Sequence, residues 1–202
     1  MLNKVIPMLP KELSNGICSL NEGKDRLTLS VMMEIDKDGN VISEDVTKGV
    51  INVTKRMSYN GVQNLLDIER SKQPTIDEMK LYEEYKPYTE QIKLIAELAH
   101  ILENKRLKQG YLDLDIPESK ITLDKNGHAI DVGKYETKFA NNIIEQFMLT
   151  ANETIAEKFY WLEAPFIYRV HESPDQEKIS DLNKMLYNFG YKIKGNKENI
   201  HP

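Results

Sequence analysis

The 202-residue sequence predicts an α+β fold, an antiparallel hairpin sheet with long helices packed on it. Three observations carry that prediction. Leu27, Leu29, Val31 and Met33 alternate with Thr28, Ser30 and Met32, the period of a half-buried strand. Asp36-Lys-Asp-Gly-Asn40 follows directly and supplies a hairpin turn. Two later stretches, residues 75–109 and 134–163, carry apolar residues at helical spacing over many turns.

Taken in order, Val5-Ile6-Pro7-Met8-Leu9-Pro10 is short, apolar and twice interrupted by proline, so a buried extended loop is expected. Ser14-Asn15-Gly16 reads as a polar link into the first strand. A second strand set is expected over about 41–59, with Val46, Val50, Ile51 and Val53. Val62, Leu65 and Leu66 mark a short helix ending before Pro74. Thr75 can cap a longer helix with apolar positions Met79, Ile92, Ile95, Ala96, Ala99 and Leu102. Pro87 should break it near Tyr85, and Gly110 should end it. Glu97, Glu103, Lys105, Arg106 and Lys108 read as its solvated face.

Short strands are expected over 112–116 and 121–123, with a turn at Asp124-Lys-Asn-Gly-His128 before a strand at 129–132. In the 134–163 helix, steps of 100° place Ala140, Ile144, Phe147, Ala151, Ile155 and Leu162 on one apolar face. Glu145 and Asn152, seven apart, share a stripe at its border. Phe166-Ile-Tyr-Arg-Val170 reads as a short buried strand. Pro174-Asp-Gln-Glu177 opens a last helix, with Ile179, Leu182, Leu186 and Phe189 on one side and Gly190 as its stop. The organisation expected is one domain over 1–191, followed by a polar tail, 192–202.

Composition narrows the function classes. A net charge of −5, from 27 Lys+Arg against 32 Asp+Glu, argues against a stand-alone nucleic-acid binder, whose affinity comes mainly from neutralised phosphates. The single cysteine, Cys18, excludes an internal disulfide and is expected to be a small buried apolar residue. No secretory leader and no window of about 20 apolar residues is found, which points to the cytoplasm. His100, His128, His171 and His201 are scattered without metal-ligand spacing. Asp113 and Asp115 point the same way on their strand and could hold a cation, although a charged strand face is the plainer reading. The Asp36 turn is no calcium loop, because its glycine comes two positions early and its twelfth position is Thr47.

Four blocks give the chain a family likeness. They are Ile6-Pro-Met-Leu-Pro10, with Leu13-Ser14, Cys18-Ser19-Leu20 and Asp25-Arg26 behind it; Lys55-Arg-Met-Ser-Tyr59; Ile144-Glu-Gln-Phe-Met-Leu-Thr-Ala-Asn152; and Phe166-Ile-Tyr-Arg-Val-His-Glu-Ser-Pro174. In order and spacing these resemble the catalytic (RNB) domain of the RNase II/RNase R exoribonucleases, leaning toward the bacterial ribonuclease R branch. The likeness covers nearly the whole chain.

The resemblance implies hydrolysis of single-stranded RNA from its 3′ end to nucleoside monophosphates, with Mg²⁺ held by a cluster of aspartates. It places Glu145 near the scissile end and Tyr59 along the RNA channel, where its ring could stack on a base. Arg26, Arg56, Asn152, Arg169 and His171 are weaker RNA-contact candidates, each also readable as a salt bridge or hydrogen-bonded brace. Asp25 beside Arg26 is an ordinary ion-pair arrangement. Where the family has a second glutamate this sequence has Gln146, which removes a charge from the neighbouring face. The resemblance puts the aspartate block upstream of Ile6 and the phosphate-stabilising arginine block beyond Pro202, with cold-shock and S1 RNA-binding domains also elsewhere. The expectation is therefore an internal portion of the domain, inactive alone and prone to associate through unpaired strand edges. A non-catalytic module that binds RNA or protein is the alternative.

Overall fold

The computed structural model describes residues 6–67, 75–111, 118–170, 172 and 174–193. Within them lie four strands and five α-helices, confirming the α+β class. Strand β1 (Asp25–Ile35) pairs antiparallel with β2 (Val41–Asn52), and Val31 faces Val46 in the register. The turn between them forms as the sequence predicts. Asp36 Oδ1 accepts the Asn40 and Asp38 amides at 2.8 and 2.9 Å, and Gly39 takes φ 82°. Helix α1 (Tyr59–Asp67) leads to α2 (Ile76–Tyr85), a single 3₁₀ turn at Lys86–Tyr88, and α3 (Thr89–Lys108). The break at Pro87 is thus where the sequence puts it. Thr75 and Glu78 exchange bonds as a capping box. Strands β3 (Ser119–Leu123) and β4 (Ala129–Lys134) make a second hairpin, then α4 (Phe139–Trp161) and α5 (Gln176–Tyr187) complete the chain.

Two small clusters hold the helices together. Leu65, Tyr85 and Ile92 join α1, α2 and α3, and Ala96, Ala99 and Ile143 join α3 to α4. Helices α3 and α4 run side by side in the same direction. His100 stacks on Phe139 at 4.3 Å, Asn142 donates to Glu103 at 3.2 Å, and Arg106 reaches Gln146 at 3.1 Å. The tip of the β1–β2 hairpin docks on both, through Lys105 to the Gly39 carbonyl (3.0 Å) and Lys158 to Glu44 (3.1 Å).

Several expectations are corrected. The second strand ends at Asn52, and Tyr59 opens a helix instead. The loop around Ile6–Pro10 and Cys18 are exposed, not buried, because no element of the described chain covers them. A π-helical turn, Glu12–Ile17, occupies the expected polar link. Residues 166–170 have no partner strand among the described residues. After Glu163 takes a left-handed turn (φ 52°), they fold back on α4, where Phe166 stacks on Phe159 and Tyr168 donates to the Ala156 carbonyl. Ile167 and Val170 remain exposed. On α5, whose N-cap is Asp175, no residue is buried: Ile179 and Leu186 are half-buried, and Leu182 and Phe189 are exposed. Met79 and Ile95 are exposed, while Ile92, Ala96, Ala99 and Leu102 are buried as expected. In β1, Leu27 and Leu29 are 85% and 74% exposed, while Arg26, Thr28 and Ser30 on the other face of the strand are half-buried. The expected strand at 112–116, with Asp113 and Asp115, lies outside the described residues, as does the tail from 194.

The carboxylates that tie turns and caps predict an acid limit to stability. Glu22 is held below the usual 4.5 by the Arg56 amide and, less strongly, by Lys55. The Asn40 side chain and amide lower Asp36, the Thr75 amide and hydroxyl lower Glu78, and the His128 amide leads the lowering of Asp124. A depressed carboxylate contributes stability that is present above its unfolded value and lost as pH falls through its folded value. Thermal midpoints should therefore hold level near neutral pH and fall as pH drops below about 4.5. A Glu22→Gln variant should show a shallower acid slope by circular dichroism; an unchanged slope would remove Glu22 from this account.

Candidate functional site

Tyr59 is presented by a loop built from local bonds. Glu22 accepts the Arg56 amide at 2.9 Å and Lys55 bridges to Glu84 at 2.7 Å, fixing the 53–57 segment against α2. The Ser58 amide donates to the Tyr85 hydroxyl at 3.1 Å, and Ser58 Oγ accepts the Gly61 amide at 3.1 Å. Tyr85 is 4% exposed, so this anchor belongs to the core. Tyr59, next in sequence, points its ring outward at 47% exposure, and Arg56 is exposed beside it in the chain. An aromatic face offered on a rigid base is what sequence-tolerant stacking of a nucleobase requires.

Helix α4 carries the second part. Glu145 and Asn152 are both exposed on one stripe, separated by about 10 Å of helix rise. Exposed Met148 lies between them in sequence. The buried face is not the one the periodicity predicts. Ala140, Ile143, Gln146, Thr150 and Thr154 are buried, while Ile144 and Leu162 are exposed. The helix has turned by about one residue because its polar members find partners inside. Thr150 Oγ1 donates to the Gln146 carbonyl and Thr154 Oγ1 to the Thr150 carbonyl, both at 2.8 Å. Gln146, at 1% exposure, accepts Arg106 Nε at 3.1 Å. Arg106 also grips Glu153 with both terminal nitrogens, at 2.5 and 3.0 Å. Arg106 is therefore no part of a solvated face: its side chain is 14% exposed. Nor does Lys105 stand free, since it donates to Gly39.

Of the other candidates, Arg26 does not pair with the Asp25 carboxylate. Its Nε donates to the Ser19 carbonyl at 2.9 Å and its Nη1 to the Asp25 carbonyl at 2.8 Å, so it staples the 19–21 loop to β1. The Asp25 carboxylate accepts Asn52 instead, at 2.7 Å. Arg169 is exposed on the segment that folds back along α4, and His171 lies outside the described residues. Tyr59 and Glu145 stand on helices in direct contact, since Gln63 of α1 accepts the Ala140 amide of α4 at 3.0 Å. No hydrogen bond joins Tyr59 to Glu145 or Asn152 among the described residues. His100 and His128 are surface residues. A cleft of 610 Å³ opens between the hairpin tip and the ends of α3 and α4, lined by Gly39, Lys105, Arg106, Glu153, Lys158 and Trp161. It contains none of the candidate RNA-contact residues read from the sequence.

Sequence reasoning missed Arg106 and Gln146. A signal was present: Ala140, Ile143, Phe147, Thr150 and Thr154 also keep helical spacing, with Gln146 on the same side. Giving Thr no weight as a buried residue hid that second face.

The comparisons with known proteins agree with this architecture. The family model for the RNB domain matches residues 1–201. Ribonuclease R of Thermotoga maritima is 46% identical over 203 residues, covering 100% of this chain and 27% of that protein. Mycoplasma genitalium RNase R, solved in complex with ribose methylated single-stranded RNA, superposes with a TM-score of 0.82 at 26% identity. That match covers 98% of this chain and 29% of the other. The same enzyme in complex with double-stranded RNA gives 0.79 at 26% identity, over 96% and 33% of the two chains. The chain thus spans about a quarter to a third of the length of these relatives. With the match running from the first residue almost to the last, through the Tyr59 loop and helix α4, this chain belongs to the RNB-domain family of ribonuclease R.

Proposed function

We propose that this chain forms part of the catalytic domain of a ribonuclease R-type exoribonuclease, which hydrolyses single-stranded RNA from the 3′ end to nucleoside monophosphates in the cytoplasm. The observation that carries the reading is the 46% identity to a ribonuclease R along the whole chain. In this reading Tyr59 stacks on a base near the 3′ end, and Glu145 stands beside the scissile phosphodiester. Asn152, on the same stripe, contacts the backbone two turns away. Arg56 and Arg169, both exposed, are free to meet phosphates. Arg26, spending two nitrogens on carbonyls, acts chiefly as a brace. His171 keeps its assignment from the resemblance alone.

Mg²⁺ also enters through the resemblance. It favours octahedral oxygen ligation by one or two carboxylates, waters and phosphates. Among the described residues no group of three or more His, Cys, Asp or Glu side chains converges. The aspartate cluster that the resemblance implies is therefore not found among the described residues, and no catalytic step of theirs is routed through a metal. The resemblance assigns the aspartate ligands to a block preceding Ile6, and the cold-shock and S1 domains to separate segments of the enzyme.

The test is a gel assay of the 202-residue chain with 5′-labelled single-stranded RNA, in Mg²⁺ or in EDTA. Intact RNA in both lanes is expected. A ladder that vanishes in EDTA would overturn this account of the metal and direct attention to Asp113, Asp115 and Glu145.

A further inference from the structure

The side of α4 opposite to solvent carries a device that the reading above does not use. Arg106 of α3 holds α4 at two places, the buried Gln146 and, seven residues on, Glu153. Each of these directly follows one of the exposed pair, Glu145 and Asn152. Two parallel stripes therefore run along α4, one step of about 100° apart, and a single guanidinium holds one of them. The remaining α3–α4 contact combines small buried residues with an aromatic and a polar contact at the start of α4, where His100 stacks on Phe139 and Asn142 donates to Glu103. Ala96 and Ala99 of α3 are buried with Ile143 of α4, and Thr150 and Thr154 satisfy their hydroxyls within their own helix. Past the first turn of α4 the α3–α4 hydrogen bonds among the described residues are those of Arg106, and without them only apolar packing would resist α4 turning or sliding on α3. A planar fork bonded at both ends does stop it, because the Arg–carboxylate pair is directional and charge-assisted.

We infer that Arg106, acting through Gln146 and Glu153, is a positioning residue that sets the rotation of α4 about its axis and so aims Glu145 and Asn152. Its value to catalysis rests on the role proposed for Glu145; the geometric part does not. Gln146 fits the task better than an apolar residue would. Leucine there would bury well but leave Arg106 Nε without its acceptor. Glutamate at the same position would also accept Nε, so the clamp tolerates either acid or amide.

The test reads geometry rather than turnover. Cys18, exposed and the only cysteine, is changed to serine. Nitroxides are then placed at Glu145→Cys and Glu90→Cys, both exposed positions, in the full 202-residue chain. Pulsed dipolar spectroscopy gives the distance distribution between α4 and the start of α3. With Arg106→Gln the distribution should broaden and its mean shift by about 2 Å or more, the scale of helix displacements at repacked interfaces. Gln146→Glu should keep the parental width. An Arg106→Gln chain that melts earlier but keeps the parental distribution would reduce Arg106 to a stabilising contact and overturn the inference. If Arg106→Gln does not fold, Glu153→Ala, at a 65% exposed side chain, removes one arm of the clamp alone. With a nitroxide moved to Asn152→Cys, broadening is expected and an unchanged width counts against the clamp. A clamp confirmed here alongside a Glu145→Gln enzyme of normal turnover would leave the positioning intact and refute the role of Glu145.

Discussion

Glu145→Gln, introduced into an intact ribonuclease carrying this sequence, should slow cleavage of single-stranded RNA by about 10²–10⁴-fold, the range for losing a positioned acid or base. RNA affinity should change much less. Glu145 is exposed and makes no hydrogen bond or ion pair among the described residues, so the folded state does not depend on its charge. Surface substitutions of this kind usually stay within about 0.5 kcal/mol of the parent. The thermal midpoint should therefore be unaltered, which separates chemistry from folding. Single-turnover cleavage with excess enzyme, beside a filter-binding titration in EDTA, gives both quantities. Equal losses in rate and affinity would make Glu145 a plain RNA contact, and no loss in either would remove it from the site.

The second large effect is expected at Gly61. A Cβ added there would lie 2.2 Å from Tyr85 Cε2 and 2.9 Å from Cζ, and the ring is 4% exposed in the cluster with Leu65 and Ile92. A rigid ring in a packed site cannot swing aside as the end of a lysine can. Alanine gains up to about 1 kcal/mol in helix propensity over glycine. Overpacking a filled core costs about 1–3 kcal/mol, and a contact this short belongs at the upper end. Gly61→Ala should therefore lower the thermal midpoint, by about 2–4 °C for each net kcal/mol in a chain of this size. The displaced ring also carries the hydroxyl that anchors Ser58, so the Tyr59 loop should loosen and RNA affinity fall with stability. Tyr59→Ala gives the contrast: it removes stacking, worth about 1–3 kcal/mol per base, at an unchanged melting temperature. A Gly61→Ala chain that melts with the parent would show that α1 and α2 can part without cost.

The elements that the sequence makes legible are those governed by local rules. The Asp36–Asn40 turn, the Thr75 capping box and the break at Pro87 each depend on a few adjacent residues, and each forms where expected. Tyr59 and Glu145 become candidates in another way, through motif words shared with a family, and the structure adds that both stand exposed on adjoining helices. What stays hidden depends on residues far apart. The face α4 buries is decided by Arg106, 40 positions before Gln146, and periodicity within one helix cannot register a partner on another. Apolar content misleads at Ile6–Pro10, Cys18 and 166–170 for a related reason. It reports what can be buried, while burial itself needs a covering element, and none is present among the described residues.

The parallel course of α3 and α4 bears on how this half of the molecule is reached from the unfolded chain. Antiparallel helices close on each other through a few residues, but parallel ones must be joined by a strap as long as themselves. Here the strap is the excursion through β3 and β4, whose strands bury none of their residues. Bringing Arg106 to Gln146 thus closes a loop of 40 residues before any seam contact rewards the lost entropy. Topologies rich in such distant pairings fold slowly. The aim of the Glu145 stripe is consequently among the later features of the native state to be established, settled only when the ends of a long excursion have met.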